Sequence, residues 1–155
     1  MEMPKPTQAH RKMERLIGLW KGKERIFPSP FDPIGGEAQV TIENRIAFEG
    51  LVMIQEYMQE RNGKISFQGH GVLRWDGEEG SYVFHWFDSM GLAPNEFRGT
   101  LEGDVLSLES KDELFQSRIV YELLGTDRCK GRMEFSQNGK DWKPFFEGEY
   151  SRMKK

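Results

Sequence analysis

Two histidines lie where a pair of metal ligands could form in this 155-residue sequence. If 64–75 and 81–88 are paired strands joined at Gly77–Gly80, then His70 and His85 share a face as diagonal neighbours, with Cβ atoms about 7–8 Å apart. A metal ion needs three or four converging ligands, and no carboxylate or cysteine completes this set. The sequence therefore predicts no metal site, and two surface or interface histidines.

Asp88 is the carboxylate that the same strand pairing places on the inner face, beside Trp86. Burial would raise its pKa or require a charged partner, so that it could anchor a ligand or act as a general acid or base. With Tyr57 or Tyr121 it would then serve an isomerase or hydrolase. The competing interpretation is a strand-end aspartate that caps the turn at Ser89.

Other kinds of chemistry find little support in the sequence. The single cysteine, Cys129, excludes an intrachain disulfide and is expected to be a buried, inert thiol. Phosphate loops and nucleophile elbows are absent, and we expect no cofactor. The 22 basic residues are interspersed with 25 acidic ones, which argues against nucleic acid. No apolar run approaches the roughly 20 residues that span a bilayer, and residues 1–15 have no signal-peptide pattern, so we expect a cytoplasmic protein.

Short strands joined by tight turns account for most of the chain. Apolar residues alternate with polar ones in about ten runs, and turn residues such as Asn62-Gly63 and Asn138-Gly139 separate them. No helical pattern long enough for a parallel crossover intervenes. We therefore predict one all-β domain over 1–155, a single antiparallel barrel of about ten strands. The predicted strands are 19–27, 37–48, 51–60, 64–75, 81–88, 95–102, 104–110, 115–124, 128–137 and 144–152.

A short helix and an Arg–Trp pair are expected to close one end of this barrel. Ala9, Met13, Leu16 and Ile17 recur at helical spacing, which predicts an amphipathic capping helix over 8–17. Trp20 opens the first strand and Arg152 ends the last one. We expect the guanidinium to stack on the indole while it binds nearby carbonyl groups.

The predicted inner face is aromatic and rich in methionine, with a few polar groups. Such a surface describes either a small-molecule pocket or a filled core, and a barrel of about ten strands is wider than side chains alone easily fill. Two longer loops, 28–36 and 89–94, form either a lid over the mouth or ordinary connections. The predicted ligand-binding residues are Gln55, Tyr57, Phe67, Phe84, Trp86, Asp88, Ser117, Tyr121 and Met133.

Several segments of the chain resemble a known family. Gly18-Leu19-Trp20-Lys21-Gly22 is similar to the opening strand of the calycin superfamily, which includes lipocalins, fatty-acid-binding proteins and nitrobindin-like barrels. More specifically, the ordered set resembles a bacterial family of domains of unknown function, number fifteen-seventy-nine. The segments that carry this resemblance are Phe67-Gln68-Gly69-His70-Gly71, Trp75-Asp76, 82–89, Phe97-Arg98-Gly99 and 139–152.

This resemblance implies a calycin-like barrel and an interior ligand, but no particular activity. Nitrobindin-like relatives bind haem through a histidine near the C-terminal strands, whereas the histidines here are His10, His70 and His85, so that ligand has no matching position. The leading hypothesis is a barrel that binds a small apolar or amphipathic molecule. The alternatives are an enzyme that uses Asp88 with an interior tyrosine, and a structural or homodimeric module that pairs through His70, His85 and Phe87 without a ligand.

Overall fold

Ten antiparallel strands account for most of the chain in the computed structural model, which describes residues 1–92, 94–111 and 115–154. Ala93 of the second predicted lid loop and Lys155 of the predicted domain lie outside the described residues. The strands are β1 (Gly18–Ile26), β2 (Gly36–Ala47), β3 (Val52–Arg61), β4 (Lys64–Asp76), β5 (Ser81–Asp88), β6 (Asn95–Glu102), β7 (Val105–Lys111), β8 (Gln116–Leu124), β9 (Arg128–Ser136) and β10 (Lys143–Arg152).

The strands follow one another around a closed barrel, and β10 returns to pair with β1. All neighbours are antiparallel, as hairpin connections require, and Trp20 lies opposite Arg152 where the barrel closes. The prediction of a closed antiparallel barrel with a short N-terminal helix is confirmed. Closure leaves no edge strand, so backbone groups of β1 that would otherwise face solvent are paired on both sides.

The helix that covers one end is shorter than the predicted segment 8–17. An α-helix, α1 (Gln8–Lys12), passes into a 3-10 turn (Met13–Leu16), which narrows the helix so that Met13 and Leu16 both reach the barrel core. The Tyr82 hydroxyl donates to the Ala9 carbonyl oxygen at 2.6 Å and so ties α1 to β5. Among the described residues, no helix has the length and hydropathy of a membrane span.

The β4–β5 hairpin has the predicted register: Trp75 lies opposite Tyr82, and Gly69 lies opposite Asp88. Glycines of β4 lie under aromatic rings of β5 in this hairpin. The indole of Trp86 covers Gly69, although its register partner is Gly71, because side chains lean along the strand. A Cβ atom at Gly69 would lie 2.1 Å from that ring, so glycine is needed for the indole to lie flat on β4.

The opposite end of the barrel, which we call the mouth, is partly covered by the loop between β1 and β2. Phe31 in this loop packs against the rings of Phe115, Phe135 and Phe145, with centroids 5.1, 5.6 and 5.9 Å away. Asp32 pairs with Arg61 at the end of β3, with 2.6 Å between Oδ2 and Nη2. The first of the two predicted lid loops therefore lies at the mouth and is held by an aromatic cluster and an ion pair.

Candidate functional site

Side chains nearly fill the half of the barrel next to the helix. The cavity left there is about 30 Å³, enough for about one water molecule, and Asn44, Gln55, Tyr121 and Cys129 contribute to its wall. Gln55, a predicted ligand-binding residue, donates from Nε2 to Asn44 Oδ1 at 3.1 Å, and Asn44 donates in turn to the Leu16 carbonyl oxygen. This half of the barrel leaves no room for a ligand of more than a few atoms.

A fully buried carboxyl group, Glu24, lies at the centre of the barrel. Its Oε2 accepts a hydrogen bond from the Tyr150 hydroxyl at 2.5 Å. Its Oε1 accepts one from the Tyr57 hydroxyl and another, at 3.3 Å, from Gln59 Nε2. Strands β1, β3 and β10 therefore meet at one acid held between two phenols, which we call the Glu24 cluster (Glu24, Tyr57, Gln59 and Tyr150).

Burial dominates the electrostatics of this cluster. Desolvation raises the pKa of Glu24, although the hydrogen bonds from Tyr150, Tyr57 and Gln59 and the positive charge of Arg61 oppose the shift. Desolvation and the nearby acid also raise the pKa values of Tyr57 and Tyr150 well above their usual range. Burial thus shifts Glu24 towards its protonated form and the two phenols towards their neutral forms.

Two glycines on neighbouring strands make room for the cluster. Gly148 is the register partner of Glu24, and a Cβ atom at Gly148 would lie 2.4 Å from the Tyr150 hydroxyl oxygen. Gly131 lies opposite Gly148, and a Cβ atom there would lie 2.9 Å from both Tyr121 and Tyr150. The wall formed by β9 and β10 therefore has no side chains where the tyrosine rings lie.

The sequence interpretation missed Glu24, although the sequence contained the signal for it. Alternation from Trp20 through Gly22 and Glu24 to Ile26 puts the acid on the inner face of β1, and Trp20 and Ile26 are indeed buried. Charged residues flank Glu24 on both sides, so this stretch looks like a solvated strand. The predicted inward residue Tyr57 is part of the cluster, whereas Gln59, two positions further along β3, was missed.

Towards the mouth, inward-facing side chains are only partly covered. Phe67 and Trp86 border the core without being fully buried, and the same holds for Met133 at the other wall. The predicted residues Phe84 and Ser117 are buried. Phe67, Trp86 and Met133 point inward in the half of the barrel away from the helix, and each keeps part of its surface exposed. The predicted ligand-binding set is therefore divided between a filled half and an accessible half.

Asp88 lies at the rim of the mouth, at the end of β5. Its Oδ2 accepts the indole N–H of Trp86 at 2.9 Å, and its Oδ1 accepts the backbone N–H of Met90 at 3.0 Å. The second contact caps the turn after Ser89. Among the described residues, Asp88 forms no hydrogen bond with Tyr57 or Tyr121, and the acid that does contact an interior tyrosine is Glu24.

The histidines lie on the outer wall. His70 Nδ1 lies 2.5 Å from Glu56 Oε1, and His85 Nε2 accepts from Arg74 Nε at 3.0 Å. Within the described ranges, no three His, Cys, Asp or Glu side chains converge as a metal ion would require. Cys129 is buried next to the small cavity, and desolvation raises the pKa of its thiol to about 11, which suits an inert group.

Phe87 is half exposed between these histidines, and its role as a dimer contact stays a prediction. If the outer wall pairs two copies, Phe87→Glu should place a charge in the interface and convert the dimer to a monomer. Sedimentation of both proteins measures their oligomeric state. Phe48→Glu is the control, because Phe48 is an exposed aromatic residue in the connection between β2 and β3. A monomeric parent protein would contradict the prediction.

A larger concavity, about 730 Å³, lies outside the barrel across β1 and β8–β10. Its wall carries basic and acidic side chains that pair with one another. Lys23 Nζ lies 3.5 Å from Glu37 Oε1, and Arg128 Nη2 lies 3.6 Å from Glu149 Oε2. Exposed pairs of this kind contribute little stability and leave little unbalanced charge. The interior of the mouth, rather than this outer surface, brings aromatic and polar groups together.

Comparison with known proteins gives one family and a shared fold. A family model described as "Protein of unknown function (DUF1579)" matches residues 5–152. The sequence has no match among curated proteins. The crystal structure of Rv2717c from M. tuberculosis is similar, with 14% identity over 96% of this chain and 99% of that chain and a TM-score of 0.72. The structure of the S-type phycobiliprotein lyase CPES from Guillardia theta is also similar. It has 12% identity over 97% of this chain and 99% of that chain, and a TM-score of 0.60.

Proposed function

Because this chain belongs to the DUF1579 family, whose description assigns no activity, we propose a function from the barrel itself: it binds a small apolar or amphipathic molecule in the mouth. The ligand lies against Phe67, Trp86 and Met133, above the Glu24 cluster. The filled half of the barrel below acts as a rigid base.

One observation carries this proposal. Most inward-facing apolar side chains next to the helix are buried, with Ile46 and Trp75 as partly buried exceptions, whereas Phe67, Trp86, Ile119 and Met133 towards the mouth are all only partly buried. Exposed apolar surface inside a concave site costs free energy that a ligand recovers by covering it, at about 25 cal/mol per Å². A concave apolar surface with a few polar groups is the usual form of a small-molecule site.

The fold neighbours support a binding role in a limited way. One of them is described as an S-type phycobiliprotein lyase, so a barrel of this architecture occurs in a protein described as a lyase. At 12% identity the likeness carries the fold and not the activity. We therefore take from it only that such a barrel can serve as a functional site, and we take the kind of ligand from the mouth of this chain.

Filling the mouth with a larger side chain should abolish binding. Met133→Trp adds a ring on the inner face of β9, whereas Arg132→Trp adds the same ring one position away on the outer face. We expect N-phenyl-1-naphthylamine, a neutral apolar dye, to gain fluorescence with the parent protein and with Arg132→Trp. Met133→Trp should weaken its binding by about tenfold or more, because even one methyl group too many strains a packed site.

Thermal unfolding of both variants shows whether the fold is retained. Equal dye binding by Met133→Trp and Arg132→Trp, with both proteins folded, would place the dye outside the barrel. Failure of the parent protein to bind the dye would contradict an apolar site in the mouth.

A further inference from the structure

Tyr57 packs against two further aromatic rings towards the mouth. Tyr57 on β3 lies 6.0 Å from Phe67 on β4 and 6.1 Å from Trp86 on β5, measured between ring centroids. Both pairs are close to perpendicular, with interplanar angles of 75° and 69°. Perpendicular rings present faces in different directions around one space, and the electron-rich face of an aromatic ring attracts cations.

Gly69 determines which face of the Trp86 indole is free. One face lies against the backbone of Gly69, since a Cβ atom there would lie 2.1 Å from the ring. Trp86 points to the inner side of the barrel and is only partly buried, so part of the ring remains accessible beside Tyr57. The edge of the ring is held by its N–H bond to Asp88 Oδ2, so the indole has a fixed orientation.

The carboxylate beside this cluster is that of Asp88. Among the described residues, Asp88 forms no ion pair, and its two oxygens accept only neutral N–H groups. Glu24 lies beneath Tyr57, where burial raises its pKa and so disfavours its negative charge. The nearby cation, Arg61, is already paired with Asp32 at 2.6 Å. An anion entering the mouth would therefore meet Asp88 without a free positive charge to balance it.

We propose that the ligand carries an organic ammonium group, which lies among Tyr57, Phe67 and Trp86 beside Asp88, while its apolar part extends towards Met133. This inference rests on the proposed binding function and names the class of ligand. Aromatic rings and one carboxylate suit a bulky, weakly hydrated cation, because the rings replace part of its hydration and the carboxylate balances its charge.

Three probes with the same alkyl chain test the charge preference. Decyltrimethylammonium, decyl sulfate and 1-decanol, each below its micellar or solubility limit, compete with N-phenyl-1-naphthylamine for the parent protein. We expect the ammonium to displace the dye at a concentration about tenfold or more below that of the sulfate, with the alcohol between them.

Two variants test the residues. Asp88→Asn removes the charge and should reduce the ammonium-to-alcohol preference several-fold, and Phe67→Leu should do the same by removing one ring while keeping an apolar side chain. Displacement by the alcohol is the reference for each variant, so a general loss of binding cancels in the ratio of the two affinities and only the charge preference is compared. Glu96→Gln, at an exposed acid of the outer wall on β6, is the matched control and should leave all three affinities unchanged.

The outcomes separate this inference from the function on which it rests. If all three probes displace the dye equally, or if the sulfate is preferred, the ammonium proposal is wrong while binding in the mouth stands. If the ammonium preference is the same in Asp88→Asn, Phe67→Leu and the parent protein, the cation lies elsewhere. If the dye does not bind the parent protein at all, the proposed function itself fails. Thermal unfolding establishes whether each variant is folded. If Asp88→Asn does not fold, the ammonium preference of Phe67→Leu decides whether the cation lies among these rings.

Discussion

Replacing Glu24 with alanine is expected to lower the free energy of unfolding by about 3–5 kcal/mol. The alanine leaves the hydroxyl groups of Tyr57 and Tyr150 buried without their acceptor, and it opens a void that the surrounding strands cannot fill. Urea unfolding followed by tryptophan fluorescence measures the loss. A change below about 1 kcal/mol would mean that the two phenols find other partners and that the cluster is not a structural unit.

Glu24→Gln is the matched variant, because it keeps the shape and removes the ionisable group. Burial raises the pKa of Glu24 in the folded state, so the folded protein holds its proton more tightly than the unfolded chain does. The resulting stabilisation is complete below the unfolded value of about 4.5 and is lost as pH rises through the folded value. The parent protein should therefore lose stability with rising pH, by up to about 1.4 kcal/mol per pH unit.

The glutamine variant should lack this slope, so the difference in unfolding free energy between the two proteins should move in favour of Glu24→Gln as the pH rises above the unfolded value of about 4.5. Glu147→Gln, at an exposed acid of β10, should retain the parent slope. Parallel stability curves for the parent protein and Glu24→Gln would contradict the raised pKa, whatever the effect of alanine.

Replacing Trp20 with alanine should cost a similar amount, about 3–5 kcal/mol. The indole is buried and donates from Nε1 to the Leu16 carbonyl oxygen at 3.0 Å. Arg152 lies over the ring, with 4.3 Å between its guanidinium carbon and the centroid, and also donates to the carbonyl oxygens of Ile17 and Thr126. Without the ring, the guanidinium and the helix lose the surface that positions both.

Trp142 offers a control on the same chain. It also carries an arginine over its ring, Arg118 at 4.1 Å, but lies on the outer wall and is only partly buried. Trp142→Ala should therefore cost about 1 kcal/mol or less, because an exposed cation–π contact is weak and leaves no cavity. Thermal unfolding of both variants makes the comparison, and similar shifts in Tm would mean that the buried position of Trp20 adds nothing.

The sequence allowed the barrel to be predicted closely, because tight turns and two-residue alternation are local signals. The β4–β5 hairpin shows why: Gly77–Gly80 sets the turn, and a shift of one residue would have turned Leu73 and Phe84 outward. The stacking of Arg152 on Trp20 joins residues at opposite ends of the chain. This contact was predicted from the motif of a tryptophan opening the first strand and an arginine ending the last, rather than from the alternation of neighbouring residues.

The interior was harder to predict because its contents depend on several strands at once. Glu24 is buried only because Tyr57, Gln59 and Tyr150 arrive from two other strands to satisfy it, and a single charged residue does not reveal such partners. The filled half of the barrel likewise depends on how Met13 and Leu16 of the helical segment enter the core. Alternation assigns a side chain to a face, but not the space that the other strands leave around it.

The pairing of β1 with β10 has a consequence for how the chain is made. Tyr150 and Glu24 are 126 residues apart in sequence, and Arg152 and Ile17 are 135 apart. During synthesis β1 emerges first and must wait for β10 before its second edge is covered, because a chain leaves the ribosome from its N-terminus at about 5–20 residues per second. Until then β1 presents an open edge to other chains and Glu24 lacks one of its phenols. Contacts of such long range predict a slow final folding step, and the nascent chain is most prone to aggregate during this interval.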